Sequence, residues 1–359
     1  MQLLFNIINT PLGKVMEFIA SITGNNFAVA VFVFTLLINV ILIPLSIKSQ
    51  KSSVQQTRIK PKLDELKKQC GDDKQKYSQE MQKLYQEENV SMSGGCLPMI
   101  IRLVLMLSIY YLIMSPLTYM TGVDKTKLDN VTNVITQSMD DLKKEDKTQY
   151  EQYKKLLNWR EGKGYNELGV VSIIRNEKNV LYKEDGSGLL TKEEYKKIEK
   201  DLEFIKKQDE ENKISYNFFT KKIDLTQTPK FSFNIFKAWQ PIWIMPILAF
   251  AAQMLSSVLS LMMQKKLNPD APNMAGMMLM MPLMSLFIGF SLPGGVAFYW
   301  VCSSLIGGLI QVGVQQFYGP NKMLARDRVK ELAKQCDFEA GQIKKIDAAN
   351  ESELNGEKN

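Results

Sequence analysis

The sequence has no histidine, and cysteine is scarce, with four among 359 residues. Without imidazole the chain cannot form a Ser-His-Asp or Cys-His catalytic arrangement, nor a zinc or haem site with a histidine ligand. The cysteines are too scattered for a disulfide framework or a CxxC metal site; they are Cys70, Cys96, Cys302 and Cys336. We therefore expect no enzymatic activity and no cofactor.

Charged residues are distributed unevenly. The chain has 45 Lys and Arg against 38 Asp and Glu, and residues 117–238 alone hold 23 of the first and 21 of the second. Because acids are interleaved with the basic residues, we expect no direct DNA binding; contact with ribosomal RNA stays open. Several other stretches of about 20 residues carry almost no charge, which is typical of membrane proteins.

Five apolar runs are long enough to cross about 30 Å of hydrocarbon as helices. They are residues 27–46, 96–116, 240–263, 275–291 and 294–317. Residues 1–26 are interpreted as a retained amphipathic segment that lies in the interface and is broken at Pro11, with a sixth spanning helix as the alternative. The predicted fold class is an all-α polytopic membrane protein with a five-helix transmembrane core.

Lysine and arginine counts in the loops predict the orientation. Segment 47–95 has ten and the tail 318–359 has eight, whereas the amino-terminal segment has only Lys14. We expect a multi-pass protein of the cell membrane with its amino terminus outside and its carboxyl terminus in the cytoplasm. Residues 117–238 are then extracellular, since long segments cross a membrane largely regardless of charge.

The polar segments are predicted to have structures of their own. Residues 47–95 form a cytoplasmic helical hairpin, and the cytoplasmic tail 318–359 becomes disordered towards Asn359. The insert 117–238 is predicted to be an α+β domain that folds alone. Its helices lie near 125–160 and 190–213, the second opened by a capping box of Thr191 and Glu194, and its strands lie at 169–175 and 215–220.

Arg102 and Asn39 are polar residues within apolar runs. Arg102 lies about 9 Å in from the cytoplasmic end of its helix, and Asn39 reaches about 10 Å on a helix that runs the opposite way. The five runs contain no acidic residue, and an unpaired charge at this depth costs a few kcal/mol or more unless it faces water or protein. We therefore predict a wet cavity open to the cytoplasm. Snorkelling of Arg102 to the interface is the alternative.

Other polar side chains recur at helical spacing in the same runs and are predicted to line this cavity. They are Thr35, Gln253, Ser256, Ser257, Ser260, Ser304, Gln311 and Gln315. Close helix packing is the alternative explanation for the hydroxyls and for the Gly307-Gly308 pair.

Short motifs outside residues 117–238 occur in the order of a known family. The hairpin and its end contain Lys60-Pro61-Lys62, Gly71-Asp72-Asp73-Lys74 and Gly94-Gly95-Cys96-Leu97-Pro98. The fifth helix opens with Leu292-Pro293-Gly294-Gly295, followed by Phe298-Tyr299-Trp300. In these motifs the chain resembles the YidC/Oxa/Alb membrane protein insertases.

This resemblance implies a hydrophilic groove within five helices, open to the cytoplasm and to lipid but closed outside. Polar tails of nascent membrane proteins pass through such a groove without ATP, while their transmembrane helices move into lipid. Nascent membrane proteins and the lipid bilayer are the implied partners, with the ribosome and a Sec translocon as candidates. Trp300 joins the groove residues on this basis.

The chain departs from the family pattern inside the groove. The family has arginine at the position of Asn39 and glutamine at the position of Arg102, so the charge and the amide have changed places. Ser304 stands where the family has asparagine. The matching depths of the two exchanged residues indicate that the cavity keeps one positive charge. The insert 117–238 is longer than the family's outer loop, so the resemblance assigns it no role.

Two other functions remain open. A membrane-anchored receptor or assembly scaffold would use the extracellular domain, but a buried arginine and three polar helix faces are unexpected for a simple anchor. A channel comes third, because the sequence has neither a symmetric repeat nor an acidic ring.

Overall fold

The computed structural model describes residues 2–88, 90, 96–159, 166–175, 180–185, 187–212, 214–218, 223–229, 239–267 and 275–356. Regular structure in these ranges is helical, apart from two isolated β-bridges. The α-helices are α1 (Gln2–Ile22), α2 (Phe27–Ile41), α3 (Ile43–Cys70), α4 (Lys74–Glu87), α5 (Cys96–Met114), α6 (Pro116–Tyr119), α7 (Lys125–Glu145), α8 (Lys147–Leu156), α9 (Glu167–Arg175), α10 (Lys192–Asn212), α11 (Ile244–Leu267), α12 (Ala275–Gly289), α13 (Gly294–Tyr318) and α14 (Pro320–Gly356). A 3-10 turn at Pro241–Trp243 precedes α11.

The chain forms two compact units. The first comprises Met1–Leu42, Met99–Leu261 and Asn273–Leu309, so it includes both the insert and most of the apolar helices. The second comprises Ile43–Pro98, Met262–Pro272 and Ile310–Asn359. In the second unit, α3 and α4 pack as an antiparallel pair joined by a short turn, and α14 contacts α3.

Side-chain caps begin several helices. At the start of α2, the Val29 N–H donates to Asn26 Oδ1 at 3.2 Å. The predicted capping box of α10 is confirmed, because the Glu194 N–H donates to Thr191 Oγ1 at 3.4 Å and the Thr191 N–H donates to Glu194 Oε2 at 2.9 Å. These bonds satisfy backbone donors that have no acceptor within their own helix.

The prediction of an α+β insert is wrong in the described ranges. Residues 169–175, predicted as a strand, belong to helix α9. Almost all of this helix is buried, so its apolar run is continuous and lacks the period that identifies an amphipathic helix. Within 215–220, the described residues form only isolated bridges, from Ser215 to Asn26 and from Asn217 to Asp224.

The core of the insert is built by helices. Helix α7 packs along α10, and both contact α9. Val131 and Ile135 on α7, with Ile198 and Ile205 on α10, are fully buried. Burial of such a side chain stabilises the fold by roughly 1.5–3 kcal/mol, so this apolar stripe explains why two highly charged helices pair.

The insert contacts the apolar helices, and its independent folding stays a prediction. The Ser215 N–H donates to the Asn25 carbonyl at 2.7 Å, and the Phe27 N–H donates to the Ser215 carbonyl at 2.9 Å. The rings of Tyr216 and Phe27 are 5.0 Å apart. The segment that follows α10 is thus attached to the first turn of α2.

The same segment is attached to the first turn of α13. The Gly294 N–H donates to the Gln227 carbonyl and the Gly295 N–H to the Leu225 carbonyl, both at 2.8 Å. The approach is close, because a Cβ atom at Gly294 would lie 2.4 Å from Ile242 Cδ1 and would require that side chain to shift. Residues 214–218 and 223–227 therefore contact the beginnings of two apolar helices.

Two described helices are long and apolar enough to cross a membrane, Pro241–Met263 and Gly294–Tyr318. Helices α2 and α3 form a third candidate if they count as one span broken at Leu42. Leu103–Met114 and Leu279–Gly289 are shorter apolar helices. The chain is therefore a helical membrane protein, while five complete spans remain a prediction.

The helix break predicted at Pro11 and the disorder predicted towards the end of the tail are both wrong. Helix α1 continues through Pro11, whose missing N–H and ring cost about 3 kcal/mol in a helix interior. Burial of Met16, Ile19 and Ala20, on a helix that packs against α2 and α6, offsets this cost. The predicted disordered tail is helix α14 as far as Gly356, because it is rich in the good helix formers Ala, Lys, Glu and Gln.

Candidate functional site

Helices α2 and α13 run parallel and in register. A Cβ atom added at Gly295 would lie 3.1 Å from Phe27 Cε1, and one added at Gly307 would lie 3.6 Å from Asn39 Oδ1. Phe27 and Asn39 are twelve residues apart, and so are Gly295 and Gly307. The two helices therefore approach each other at two points that lie about 18 Å apart along each helix. Asn39 faces α13 at the second of these points.

Helix α11 approaches α13 in the same way. A Cβ atom added at Gly308 would lie 2.8 Å from Ser256 Oγ. Ile242, just before α11, contacts Gly294 at the start of α13. Ser256 and Gly308 each lie fourteen residues further along, so the two contacts have the same spacing on both helices. The neighbouring glycines Gly307 and Gly308 thus bring α2 and α11 against α13 at one level.

Helix α5 contacts α13 near its beginning, at Gly295, away from Gly307 and Gly308. A Cβ atom at Gly295 would lie 3.1 Å from Ile113 Cγ2, close to the end of α5. Arg102 precedes Ile113 by eleven residues, which places its backbone about 16 Å along the helix from this contact, against about 18 Å for Asn39 on α2. The two backbones thus lie at matching distances from Gly295. The side chain of Arg102 is outside the described residues.

Asn39 and Thr35 differ in their surroundings. Asn39 is half-buried, and its Nδ2 donates to the Thr35 carbonyl at 2.8 Å, which leaves Oδ1 towards α13. Thr35 is 1% exposed, and its hydroxyl donates to the Val31 carbonyl at 2.6 Å. Thr35 therefore has the satisfied geometry of a packing residue, and Asn39 has an acceptor free to face a neighbouring helix.

The remaining predicted groove residues are half-buried on α11 and α13. Gln253 and Ser257 lie on α11, and Trp300 and Ser304 lie on α13, with Gln311 further along the same helix. Among the described residues, the first four have no hydrogen-bond partner for their side chains. An unpaired polar group in an apolar environment is costly, so water or another chain would have to be its partner.

Gly307 and Gly308 were not among the predicted groove residues. Of the predicted pair Ser256 and Ser257, Ser256 contacts α13, and the two glycines form that contact from the other side. A Gly-Gly pair within an apolar helix was the available signal, because glycine lets two helix backbones approach closely. The polar residue of α11 that contacts Gly307-Gly308 depends on the rotation of α11 about its axis. The spacing of polar residues in the sequence does not specify that rotation.

A buried carboxyl joins the insert to the end of α5. The Thr118 N–H donates to Glu167 Oε2 at 3.0 Å, and the Thr118 hydroxyl donates to Oε1 at 2.6 Å. Burial raises the pKa of the Glu167 carboxyl to about 7, despite these hydrogen bonds. This group caps helix α6, which directly follows α5, and it changes charge near neutral pH.

The insert also contains a cavity of about 830 Å³, lined among others by Lys155, Arg175, Tyr216 and Asp224. Arg175 forms a bidentate ion pair with Asp209, with both N···O distances 2.7 Å. Its guanidinium lies 4.5 Å from the centre of the Tyr216 ring. Within the described ranges, no cluster of three or more Cys, Asp or Glu side chains could hold a metal ion.

The structure thus defines a helical membrane protein with polar groups on facing helices. A family model described as 60Kd inner membrane protein matches residues 18–174 and 214–321. The chain belongs to this family, which confirms the resemblance to YidC/Oxa/Alb insertases. Between the matched segments, residues 175–213 are unmatched; they contain α10, and the Arg175–Asp209 ion pair joins their two ends.

Several relatives carry the name membrane protein insertase YidC. The chain is 39% identical over 107 residues to that of Cellvibrio japonicus, 38% over 106 residues to that of Nitratidesulfovibrio vulgaris and 36% over 108 residues to that of Dechloromonas aromatica. Each match covers 30% of this chain and 19–20% of the relative. The chain thus matches about a fifth of the length of these curated relatives.

Proposed function

We propose that this protein is a membrane protein insertase that moves polar tails of nascent membrane proteins through a hydrophilic groove and releases their transmembrane helices into lipid, without ATP. One observation carries the proposal. Half-buried polar side chains on α11 and α13 have no hydrogen-bond partners among the described residues, and Asn39 and Ser256 meet α13 at Gly307 and Gly308. Family membership and the names of the relatives support it.

The mechanism follows from desolvation. A polar or acidic tail loses its hydration when it enters hydrocarbon, which costs several kcal/mol or more for each unpaired group. Hydrogen-bonding side chains such as Gln253, Ser257 and Ser304 replace part of the lost water. A positive charge in the same cavity attracts an acidic tail more strongly than in bulk water, because the effective dielectric constant is lower. Transfer of the substrate's apolar helix from water into lipid is favourable by itself, so the proposed step uses no nucleotide.

We infer that Arg102 supplies this charge in place of the family's arginine at the position of Asn39. The backbones of the two residues lie at matching distances from the helix contact at Gly295, and Asn39 presents an uncharged acceptor towards α13. An arginine on either wall would give the groove one positive charge. Two arginines would repel each other by up to about 4 kcal/mol at 4 Å and an effective dielectric constant of 20.

The proposal includes an orientation and partners. The amino terminus lies outside and the carboxyl terminus in the cytoplasm, so the insert faces the exterior and the α3–α4 hairpin faces the cytoplasm. The basic residues of the hairpin and the tail support this orientation. Nascent membrane proteins and the bilayer are the partners, and the ribosome and a Sec translocon are candidates because both deliver such chains.

An exchange experiment tests the groove. Arg102→Ala should abolish insertion of substrates with acidic tails, and Asn39→Arg alone should be impaired by charge repulsion. The double variant Asn39→Arg with Arg102→Gln should restore insertion, since it returns one charge to the opposite wall. The measurement is protease protection of newly made substrates in vesicles that contain each variant at equal amount.

Arg328→Ala, which removes an exposed arginine from α14, is the matched control and should insert normally. Normal insertion of several acidic-tailed substrates by Arg102→Ala would contradict the groove. It would favour the receptor or scaffold alternative, which the cavity beside Arg175 and Tyr216 supports.

A further inference from the structure

The cavity in the insert lies against the segments that contact the apolar helices. It is lined by residues of α8, of α9 and of the segments 215–217 and 224–227. Its volume of about 830 Å³ falls within the roughly 300–1,000 Å³ that is typical of cavities that hold ligands. The cavity therefore provides enough space for a few residues of a peptide.

The position of the cavity connects it to the beginnings of two apolar helices. The Ser215 carbonyl accepts from the first residue of α2 and the Gln227 carbonyl from the first residue of α13, and both residues line the cavity. The centre of the Tyr216 ring lies 5.0 Å from that of Phe27 and 4.5 Å from the Arg175 guanidinium. In the proposed orientation both helices begin on the outer side, so a translocated chain would emerge beside the cavity.

Two positively charged side chains line the cavity. Arg175 is held by its bidentate ion pair with Asp209 and by the Tyr216 ring, so its guanidinium has a fixed position. Lys155 is exposed and has no ion pair among the described residues. A carboxylate suits a lysine that shares a cavity with a fixed arginine, because charge-assisted hydrogen bonds are about twice as strong as neutral ones. The cavity is thus suited to an acidic group.

One acidic side chain also lines the cavity. Asp224 Oδ1 accepts from the N–H and the hydroxyl of Thr226 at 2.9 and 2.7 Å, and Oδ2 has no partner among the described residues. Its charge would repel a polyanion such as a polyphosphate, whereas a peptide offers N–H donors beside its acidic side chains. The amides of Gln152 and Asn217 and the hydroxyl of Ser172 can bond to a peptide main chain. The mixed lining therefore favours a peptide.

We propose that this cavity binds a short acidic segment of peptide. Lys155 and Arg175 bind its carboxylate, and Asp224 accepts a main-chain N–H. The segment comes from the polar tails that emerge from the groove, so the source of the peptide rests on the proposed function, whereas the binding chemistry depends only on the cavity. The insert then retains a tail on the outer side after translocation.

Peptide binding is measured with purified full-length protein in lipid nanodiscs and a short fluorescent peptide of Gly, Ser and Glu. We expect saturable binding by fluorescence anisotropy, weakened several-fold when Gln replaces Glu in the peptide. Lys155→Gln should weaken binding of the Glu peptide by a similar factor. Lys154→Gln is the matched control, because this neighbouring lysine does not line the cavity and pairs with Glu151 at 3.7 Å.

Leu156 allows the charge of the lining to be varied without disturbing the core, because it lines the cavity and is 51% exposed. Leu156→Lys should strengthen binding of the Glu peptide and Leu156→Glu should weaken it, with little effect on the Gln peptide. Absence of binding, equal binding of the two peptides, equal binding by the two Leu156 variants or equally effective displacement by free glutamate would each overturn the cavity as a peptide site.

A second measurement separates the cavity from the proposed function. A photo-crosslinking amino acid in place of Leu156 should capture the acidic tail of a newly made substrate in vesicles, whereas the same probe at Lys196, exposed on α10, should not. Protease protection of the substrate reports insertion in the same samples. Insertion without capture would overturn the emerging tail as the source of the peptide. Peptide binding without insertion would contradict the proposed function and support the cavity alone.

Discussion

The insert and the apolar helices differ in whether their polar side chains have hydrogen-bond partners. In the insert, the two buried carboxylates are paired: Asp209 with Arg175, and Glu167 with the backbone and hydroxyl of Thr118. On α11 and α13, half-buried polar groups such as Gln253 and Ser304 have no partner among the described residues. Paired groups stabilise the fold, whereas unpaired polar groups on an apolar helix can form hydrogen bonds with water or with another chain.

This difference has a consequence for mutations. Removal of one member of a buried pair leaves the other unpaired and lowers stability. Removal of an unpaired polar group from an apolar helix leaves nothing unsatisfied, so it should change function without lowering stability. Three sets of variants test this contrast.

The largest effect is expected for Arg175→Met. Asp209 is 5% exposed and would lose both hydrogen bonds, so the insert should lose roughly 2–4 kcal/mol of stability. Hydrogen exchange of the α10 amides in the full-length protein measures this loss. Lys144→Met is the control, because its pair with Asp141 is exposed and should contribute little. Similar exchange rates in the two variants would show that the ion pair does not hold the insert together.

Glu167→Gln should change how stability depends on pH. The raised pKa of Glu167 means that its contribution is fully present below about 4.5, the ordinary value, and is lost as the pH rises through about 7. At about 1.4 kcal/mol per pKa unit, the loss is at most roughly 3 kcal/mol. The glutamine variant should therefore be more stable than the original protein at pH 8 and lack this slope.

Thermal unfolding of the full-length protein in detergent at several pH values between 4 and 8 measures the effect of Glu167→Gln. Glu193→Gln, which changes an exposed carboxyl at the start of α10, should keep the original slope. If Glu167→Gln leaves the dependence of stability on pH unchanged, the Glu167 carboxyl of the original protein titrates in the ordinary range.

The smallest effect on stability is expected in the groove. The triple variant Gln253→Leu, Ser257→Ala and Ser304→Ala should unfold within about 0.5 kcal/mol of the original protein. Insertion of acidic-tailed substrates should nevertheless fall several-fold, because the groove loses hydrogen-bonding partners for the tail. Leu255→Ala with Leu309→Ala, on exposed faces of the same two helices, should change insertion little. A large stability loss in the triple variant would mean that these groups are paired after all.

Local signals in the sequence predicted local structure well. Thr191 and Glu194 form the predicted capping box because a cap depends on residues three positions apart. The strand predicted at 169–175 is wrong because an apolar run of this length has no period to separate a buried strand from a buried helix. Packing against α7 and α10, which are distant in the sequence, determines that these residues form helix α9.

The candidate site was predictable in part. Polar residues in apolar runs predicted that α2, α11 and α13 face one another, and their contacts at Gly307 and Gly308 agree. The exchange of Arg102 and Asn39 stays a prediction. The rotation of each helix was not predictable, because helical spacing defines a face but not its neighbour. As a result, Ser256 rather than Ser257 meets Gly308, and Thr35 is satisfied within its own helix.

By itself, the sequence determined that this protein is a helical membrane protein of the insertase family, because hydrophobic length, charge placement and motif order are properties of the chain. Only the tertiary structure decided that Ser215 bonds to α2, that Leu225 and Gln227 bond to α13, and that Gly295 lies against both Phe27 and Ile113. Such contacts join residues far apart in the chain and depend on distances of a few ångströms between packed backbones. No pattern along one segment contains that information, since each partner alone is compatible with many others.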